Sequence, residues 1–354
     1  MLSSKKCSVV FSALVLIVVS APTFARDAWH VEGIPTATHE DIRFSNGDVH
    51  LAGTLYLPAS GEHVPAVVVE HGAEAPTRDF ALYEHLAQTL PSIGIAVLVY
   101  DRRGSGASSG DRETSSYEDF ADDAIAGQQA IAKNPRIDAH KIGFWGLSQG
   151  GWLSILAANR SKSAAFAISV SAPLVTPDVQ MNFAVANLVA ARGFDRNAVD
   201  TAMAARKAHD AFTLGKLSRA ETLKALAKAD NQPWSSLTFI PSADQLTKSP
   251  QDSRWRKEML SDPLREAREA RVPVLFIYGG ADPWVPVTES IARLQTLMPE
   301  HPNFEYHVIA GADHSMNLHD KDPMAFDEAS LKSTAPDAPE YFVVLADWLA
   351  RHVR

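Results

Sequence analysis

Cysteine is nearly absent: the only one in 354 residues is Cys7. It precedes an apolar run, whereas a lipid-attachment cysteine would follow one, so the chain beyond it has no disulfides and no thiol chemistry. A basic tract is also missing. With 33 Lys and Arg against 42 Asp and Glu, and a formal charge of -9, the chain has nothing to neutralise a row of phosphates, which excludes nucleic acid as a partner. The 13 histidines show no His-Glu-x-x-His or comparable ligand spacing, so no metal site is expected. Gly104 and Gly106 lie in a loop without the lysine and following hydroxyl residue of a phosphate loop, so no nucleotide or other cofactor is expected. The longest apolar run, Val9 to Val19, is too short to span a bilayer comfortably.

That run belongs to an N-terminal targeting pattern. Lys5 and Lys6 give a positive start, and Thr23-Phe24-Ala25 offers small residues where a signal peptidase reads. Residues 1–25 are therefore expected to be a bacterial-type secretory signal cleaved after Ala25, sending the protein to the periplasm or outside the cell. A retained N-terminal anchor is the alternative. Cleavage removes Lys5 and Lys6 and leaves the mature chain two units more negative, with no membrane span. Hydrophobic content of 46% suffices for a core without disulfide staples.

Two alternating segments, Asp41 to Phe44 and Val49 to Leu57, flank Asn46-Gly47 and predict a hairpin. Then come apolar strands at Ala66–Val69, Ile95–Tyr100, Ile142–Trp145, Ala165–Val170, Val274–Tyr278 and Phe304–Ile309. Helical stretches alternate with them at Asp79–Leu90 and Tyr117–Lys133, between the last two strands, and at Pro339–His352. Alternation of this kind predicts an α/β fold with a mostly parallel sheet covered on both faces. The rhythm breaks between Pro173 and Arg271. Helical periods there cover Asn182–Ala191, Ala198–His209 and Ser218–Ala229. Residues 173–271 are expected to be a helical cap inserted into a domain spanning 26–354, over the strand ends where ligands bind in such sheets.

Gly146-Leu147-Ser148-Gln149-Gly150 joins a short strand to an apolar helix. A serine on such a turn projects its hydroxyl from the sheet, beside helix N-terminal N–H groups. It needs a base, usually a histidine held in one tautomer by a carboxylate. Asp282 sits in the loop leaving the Val274 strand, and His314 in the loop leaving the Phe304 strand, so all three lie past strand C-termini in the order Ser, Asp, His. Asp313 competes as the acid but diverges from its neighbour. Donors for an oxyanion are expected from the N–H of Gln149 and, in the Glu70-His71-Gly72-Ala73-Glu74 loop, from the N–H of Ala73. Gly72 would let that backbone approach closely, and His71 reads as a packing residue.

These features resemble the α/β-hydrolase superfamily over nearly all of residues 40–354 outside the insertion. The residues that carry the resemblance are His71-Gly72, Asp101-Arg102-Arg103-Gly104-Ser105-Gly106, the Ser148 turn, and the Asp282 and His314 loops. The doubled Gly150-Gly151 resembles the prolyl-oligopeptidase-like and dienelactone-hydrolase-like branch. The resemblance implies a hydrolase with a Ser148–His314–Asp282 triad, Ala73 and Gln149 as oxyanion donors, and a structural role for the Arg103–Gly106 loop. There is no counterpart of the peptidase propeller, of the jelly-roll-like extension, or of a cysteine or aspartate nucleophile. The expected activity is hydrolysis of a small-molecule carboxylic ester, with an exported peptidase or amidase as the alternative. Trp284 and Met316 are candidate pocket residues, together with Phe183, Leu188, Phe212 and Trp234 of the insertion; each also reads as core.

Overall fold

A computed structural model describes residues 37–246, 253–318 and 336–353. The expected signal segment lies outside the described residues. The hairpin forms as read: β1 (Thr38–Asn46) and β2 (Val49–Leu57) pair antiparallel, with Asn46 opposite Val49. Gly47 adopts φ 57° in the two-residue turn, a conformation that glycine reaches without a Cβ penalty.

The body then alternates β3 (Val64–Glu70), α1 (Ala81–Ser92), β4 (Ala96–Tyr100), α2 (Tyr117–Ile131), β5 (Ile137–Leu147), α3 (Gln149–Arg160) and β6 (Ala167–Val170). Five helices follow: α4 (Pro177–Ala191), α5 (Arg196–Thr213), α6 (Arg219–Ala229), α7 (Arg254–Met259) and α8 (Pro263–Glu269). The chain closes with β7 (Val274–Gly279), α9 (Val287–Leu297), β8 (Phe304–Ile309) and α10 (Pro339–His352). The eight strands form one sheet in the order β1-β2-β4-β3-β5-β6-β7-β8. Only β2 runs against the rest, pairing antiparallel with both β1 and β4.

The inner strands β3, β4, β6 and β7 are buried along their whole length because both faces are covered. Val67, Val69, Trp145, Ile168 and Ile277 point to one side and pack with Leu86 of α1 and Tyr341 and Trp348 of α10. Ala66, Val68, Phe144 and Phe276 point to the other, against Ala124 of α2, Ile155 of α3 and Leu294 of α9. Burial of a large apolar side chain contributes about 1.5–3 kcal/mol, so these two layers dominate the stability of the body. Strand β5 starts five residues earlier than its apolar stretch, because Val64 pairs with Ile137 across an irregularity before the regular register resumes at Ala66 and Ile142. The polar Asp138, His140 and Lys141 hide that extension in the sequence.

The register also aligns the loops. Glu70 at the end of β3 lies opposite Gly146 of β5, so the loop holding Ala73 and the turn holding Ser148 leave the sheet side by side. Leu147 pairs with Val170, Val170 with Ile277, and Gly279 with Ile309. The loops carrying Asp282 and His314 therefore emerge at the same C-terminal edge of the sheet.

The α4–α6 helices have small cores of their own, one built on Val185, Val189, Ala202 and Trp234 and another on Phe212, Leu226 and Leu246. Helix α8 instead lies along the far end of α3, where Asn159 Nδ2 donates to the Glu266 carbonyl at 2.8 Å.

Candidate active site

Ser148 occupies the first position before α3 with φ 59° and ψ −122°, a region that a non-glycine residue enters only under constraint, at a cost of about 1–3 kcal/mol. The constraint comes from both sides: its N–H donates to the Val170 carbonyl at 2.8 Å, and its carbonyl accepts from Gly151 N–H at 2.9 Å. The glycines around it are required by contact. A Cβ on Gly146 would stand 2.0 Å from the Gly150 oxygen, and one on Gly150 would stand 2.4 Å from the Glu70 oxygen. Gly151 of the doubled pair faces β6, where a Cβ would meet that of Ala172 at 2.6 Å. Gly150→Ala would therefore force β3 and α3 apart. The expected loss is about 3 kcal/mol or more, read as a lowered midpoint in urea denaturation; an unchanged midpoint would show that the turn yields freely.

The two later loops are stitched together by backbone bonds, Gly280 N–H to Ile309 O at 2.8 Å and Ala281 N–H to Ala312 O at 2.9 Å. This brings His314 Nδ1 to 2.8 Å from Asp282 Oδ2. The other carboxylate oxygen of Asp282 accepts from the N–H groups of Trp284 at 2.8 Å and Val285 at 3.2 Å. The carboxylate is thus held from both ends, and it can keep the imidazole in the tautomer with its proton on Nδ1. Burial by itself would lower the His314 pKa, but the charge and hydrogen bond of Asp282, with a smaller contribution from Asp313, raise it above the ordinary 6.5. Asp313 is a turn residue: its Oδ1 accepts from Ser315 N–H at 2.8 Å and Asn317 N–H at 2.9 Å. Ser148 stands half-buried at the same sheet edge.

Gln149 opens α3, so its N–H has no intrahelical acceptor. The Ala73 loop is fixed by Tyr83, whose hydroxyl donates to the Ala75 carbonyl at 2.6 Å and accepts from Gly72 N–H at 3.1 Å. The expectation that Gly72 is needed for close approach is corrected. A Cβ there would make only ordinary contact, 3.5 Å from the Leu147 oxygen, and the tyrosine does the positioning. His71 is packing: it is fully buried between the Tyr83 and Tyr100 rings, and burial lowers its pKa to about 3, so it stays neutral.

Sequence reading missed the residue that joins these two loops. Arg102 is buried over the Phe120 ring at 4.3 Å, and it donates to Gln149 Oε1 at 2.8 Å and to the His71 carbonyl at 2.9 Å. Its neighbour Arg103 instead grips Asp123 at 2.6 and 2.7 Å, the structural role expected of that loop. The Gln149 amide continues outward to Tyr117 Oη at 3.4 Å and to Glu258 of α7 at 3.2 Å. Glu258 is itself paired with Arg254 at 2.7 Å. Adjacent arginines after a strand gave no sign of which one would turn inward.

The inserted helices touch the Asp282 loop directly. Gln180 Nε2 of α4 donates to the Trp284 carbonyl at 2.9 Å, and Asn187 Nδ2 donates to the Pro283 carbonyl at 3.2 Å. Trp284 is placed beside the site, its ring 6.3 Å from that of His314. Met316 is not: it is fully buried among the side chains under α10 and offers no surface to a substrate, because its backbone bonds to Asp337 and Ala338 fold it inward. Leu188, Phe212 and Trp234 likewise fill cores, while Phe183 is half-buried. A cavity of about 130 Å³ lies on the flank between α2, α3 and α7–α8, lined by Tyr117, Trp152 and Leu260 rather than by Ser148 or His314. Among the described residues, no group of three or more His, Cys, Asp or Glu is arranged for a metal ion, and no helix is long and apolar enough to cross a membrane.

The family model described as serine aminopeptidase, S33, matches residues 61–322. A polyketide transferase of Penicillium sp is 34% identical over 145 residues, 40% of this chain and 47% of its own length. A thiohydrolase of Aspergillus aculeatus is 33% identical over 141 residues, 39% of this chain and 42% of its own length. The chain thus spans less than half the length of each of these curated relatives. Among solved structures, an esterase of Pyrococcus furiosus superposes with a TM-score of 0.56 at 17% identity, covering 90% of this chain and 92% of that one. The proline iminopeptidase of Mycobacterium smegmatis superposes at 0.54 and 18% identity, covering 88% and 98%. At these identities the superpositions show a shared α/β-hydrolase fold.

Proposed function

The chain belongs to the serine aminopeptidase S33 family of α/β hydrolases, and from that premise we propose that it is a serine hydrolase cleaving carboxylic esters through an acyl-enzyme on Ser148. The observation that carries this reading is the 2.8 Å bond between His314 Nδ1 and Asp282 Oδ2, at the strand edge from which the constrained Ser148 turn also emerges. In the proposed cycle His314 Nε2 takes the Ser148 proton as Oγ attacks the ester carbonyl, and the N–H groups of Ala73 and Gln149 hold the oxyanion. The proton passes to the departing alkoxide. A water deprotonated by His314 then releases the acid and restores the serine. Residues 1–25, read as an export signal, would place this activity in the periplasm or outside the cell.

The family description favours a second reading, hydrolysis of an aminoacyl amide. An aminopeptidase must also hold a free α-ammonium beside the scissile bond. Glu258, the acid that reaches Gln149, already has its charge matched by Arg254 at 2.7 Å, which supports the ester reading. A series of p-nitrophenyl esters of increasing chain length, run beside aminoacyl p-nitroanilides, separates the two. Esters are expected to lead in kcat/KM by about a hundredfold or more, in keeping with selection at the transition state. A wide lead for the anilides would replace the ester assignment with the peptidase one.

A further inference from the structure

Among the described residues, Phe239 is the one aromatic side chain in the set of exposed large hydrophobic residues, 48% exposed. It also has φ 51°, in the left-handed region that a bulky side chain rarely adopts. Such a combination persists only where the surroundings hold it. Here the holder is Arg206 of α5, whose Nη1 donates to the carbonyls of Thr238 at 3.3 Å and Phe239 at 3.2 Å. The guanidinium is buried, stacked 4.5 Å over the Trp255 ring and paired with Asp210 at 3.3 Å. A buried cation is thus used to keep an exposed phenyl ring in one place.

That place is one ring removed from His314. The Phe239 ring lies 5.4 Å from the Trp284 ring, which in turn lies 6.3 Å from His314. The two rings lead from the imidazole out to solvent, and the Trp284 end is pinned by Gln180 at 2.9 Å. Trp284 is itself buried, 9% exposed, so the open surface of the pair is Phe239, whose ring offers apolar area and a face to a group carried by the substrate.

We propose that Phe239, backed by the buried Trp284 ring, forms the shelf on which an aromatic or comparably bulky apolar group of the ester rests, with Arg206 as the residue that positions the shelf. The proposal rests on the ester-hydrolase reading and names its substrate class. The test compares the wild-type protein with Phe239→Ala on two matched pairs: 2-naphthyl against ethyl acetate, and ethyl phenylacetate against ethyl propionate. In at least one pair the aromatic-to-aliphatic ratio of kcat/KM is expected to fall about tenfold, mainly through KM. Phe239 is exposed, so its truncation leaves the thermal transition in place, and that is checked in parallel. Ratios unchanged in both pairs overturn the shelf while leaving the hydrolase reading intact. Calorimetric binding of 2-naphthyl acetate to Ser148→Ala protein, with and without Phe239→Ala, reads the shelf without turnover. If binding depends on Phe239 while the wild type hydrolyses no ester, the shelf stands and the hydrolase reading fails.

Discussion

Ser148→Ala is expected to lower kcat toward esters by about ten-thousand-fold to a million-fold, as removal of the nucleophile does in serine hydrolases, with little change in the thermal transition. The two halves of that expectation have separate causes. Turnover collapses because no other hydroxyl stands at the turn between β5 and α3 with its backbone fixed by Val170 O and Gly151 N–H. Stability holds because alanine keeps the same backbone bonds and the same φ of 59°, so the strain of the turn is neither relieved nor increased. The oxyanion donors remain, so a small residual rate above that of water is expected. Retention of wild-type turnover would dismiss Ser148 as nucleophile. A large fall in the transition temperature would mean that the lost activity reports on folding instead.

Asp282→Asn is the second large effect, a fall of about a thousand- to ten-thousand-fold in kcat. An asparagine in that position still accepts from Trp284 and Val285 N–H, but it no longer offers a negative oxygen to His314 Nδ1–H. The imidazole then loses both its preferred tautomer and the attraction that outweighs burial. In the wild type, His314 has a pKa raised above 6.5, and only its neutral form is a base. The kcat/KM profile should therefore fall as pH drops, with its acid limb above pH 6.5. In the variant the residual activity should have that limb displaced to lower pH, since burial, which lowers the pKa, is left without its opponent. The stability linkage has its own sign. A raised folded-state pKa adds stability that is fully present below the unfolded value near 6.5 and is lost as pH rises through the folded value, so the urea midpoint of the wild type should lose this contribution on the alkaline side. An acid limb that stays in place in the variant would refute the pairing.

The parts legible in the sequence are those whose signals are local. The inner parallel strands read as apolar runs, because a strand covered on both faces has no polar side to interrupt it. Asn46-Gly47 announces its hairpin because few residues tolerate that turn. The Gly-x-Ser-x-Gly turn is visible because Gly146 and Gly150 press backbone to backbone, and no other residue fits there. Asp282 and His314 stand out in the sequence through their positions just past strands, which the sheet register turns into proximity. What local signals misjudge are residues whose environment is set by distant segments. Gly72 reads as a close approach, yet Tyr83 of α1 holds that loop. Met316 reads as a pocket residue, yet the chain that returns at Asp337 and Ala338 covers it.

The sequence by itself determined the alternation of strands and helices, the serine turn, and the positions of Asp282 and His314 just past strand ends, because each is written in a few neighbouring residues. Only the tertiary structure decided that Arg102 rather than Arg103 bridges the Gln149 side chain and the His71 carbonyl, that Glu258 reaches Gln149 from an inserted helix, and that Phe239 is held open beside Trp284. These are contacts between segments far apart along the chain. Their partners are chosen by how distant segments pack together, and no residue announces that packing alone.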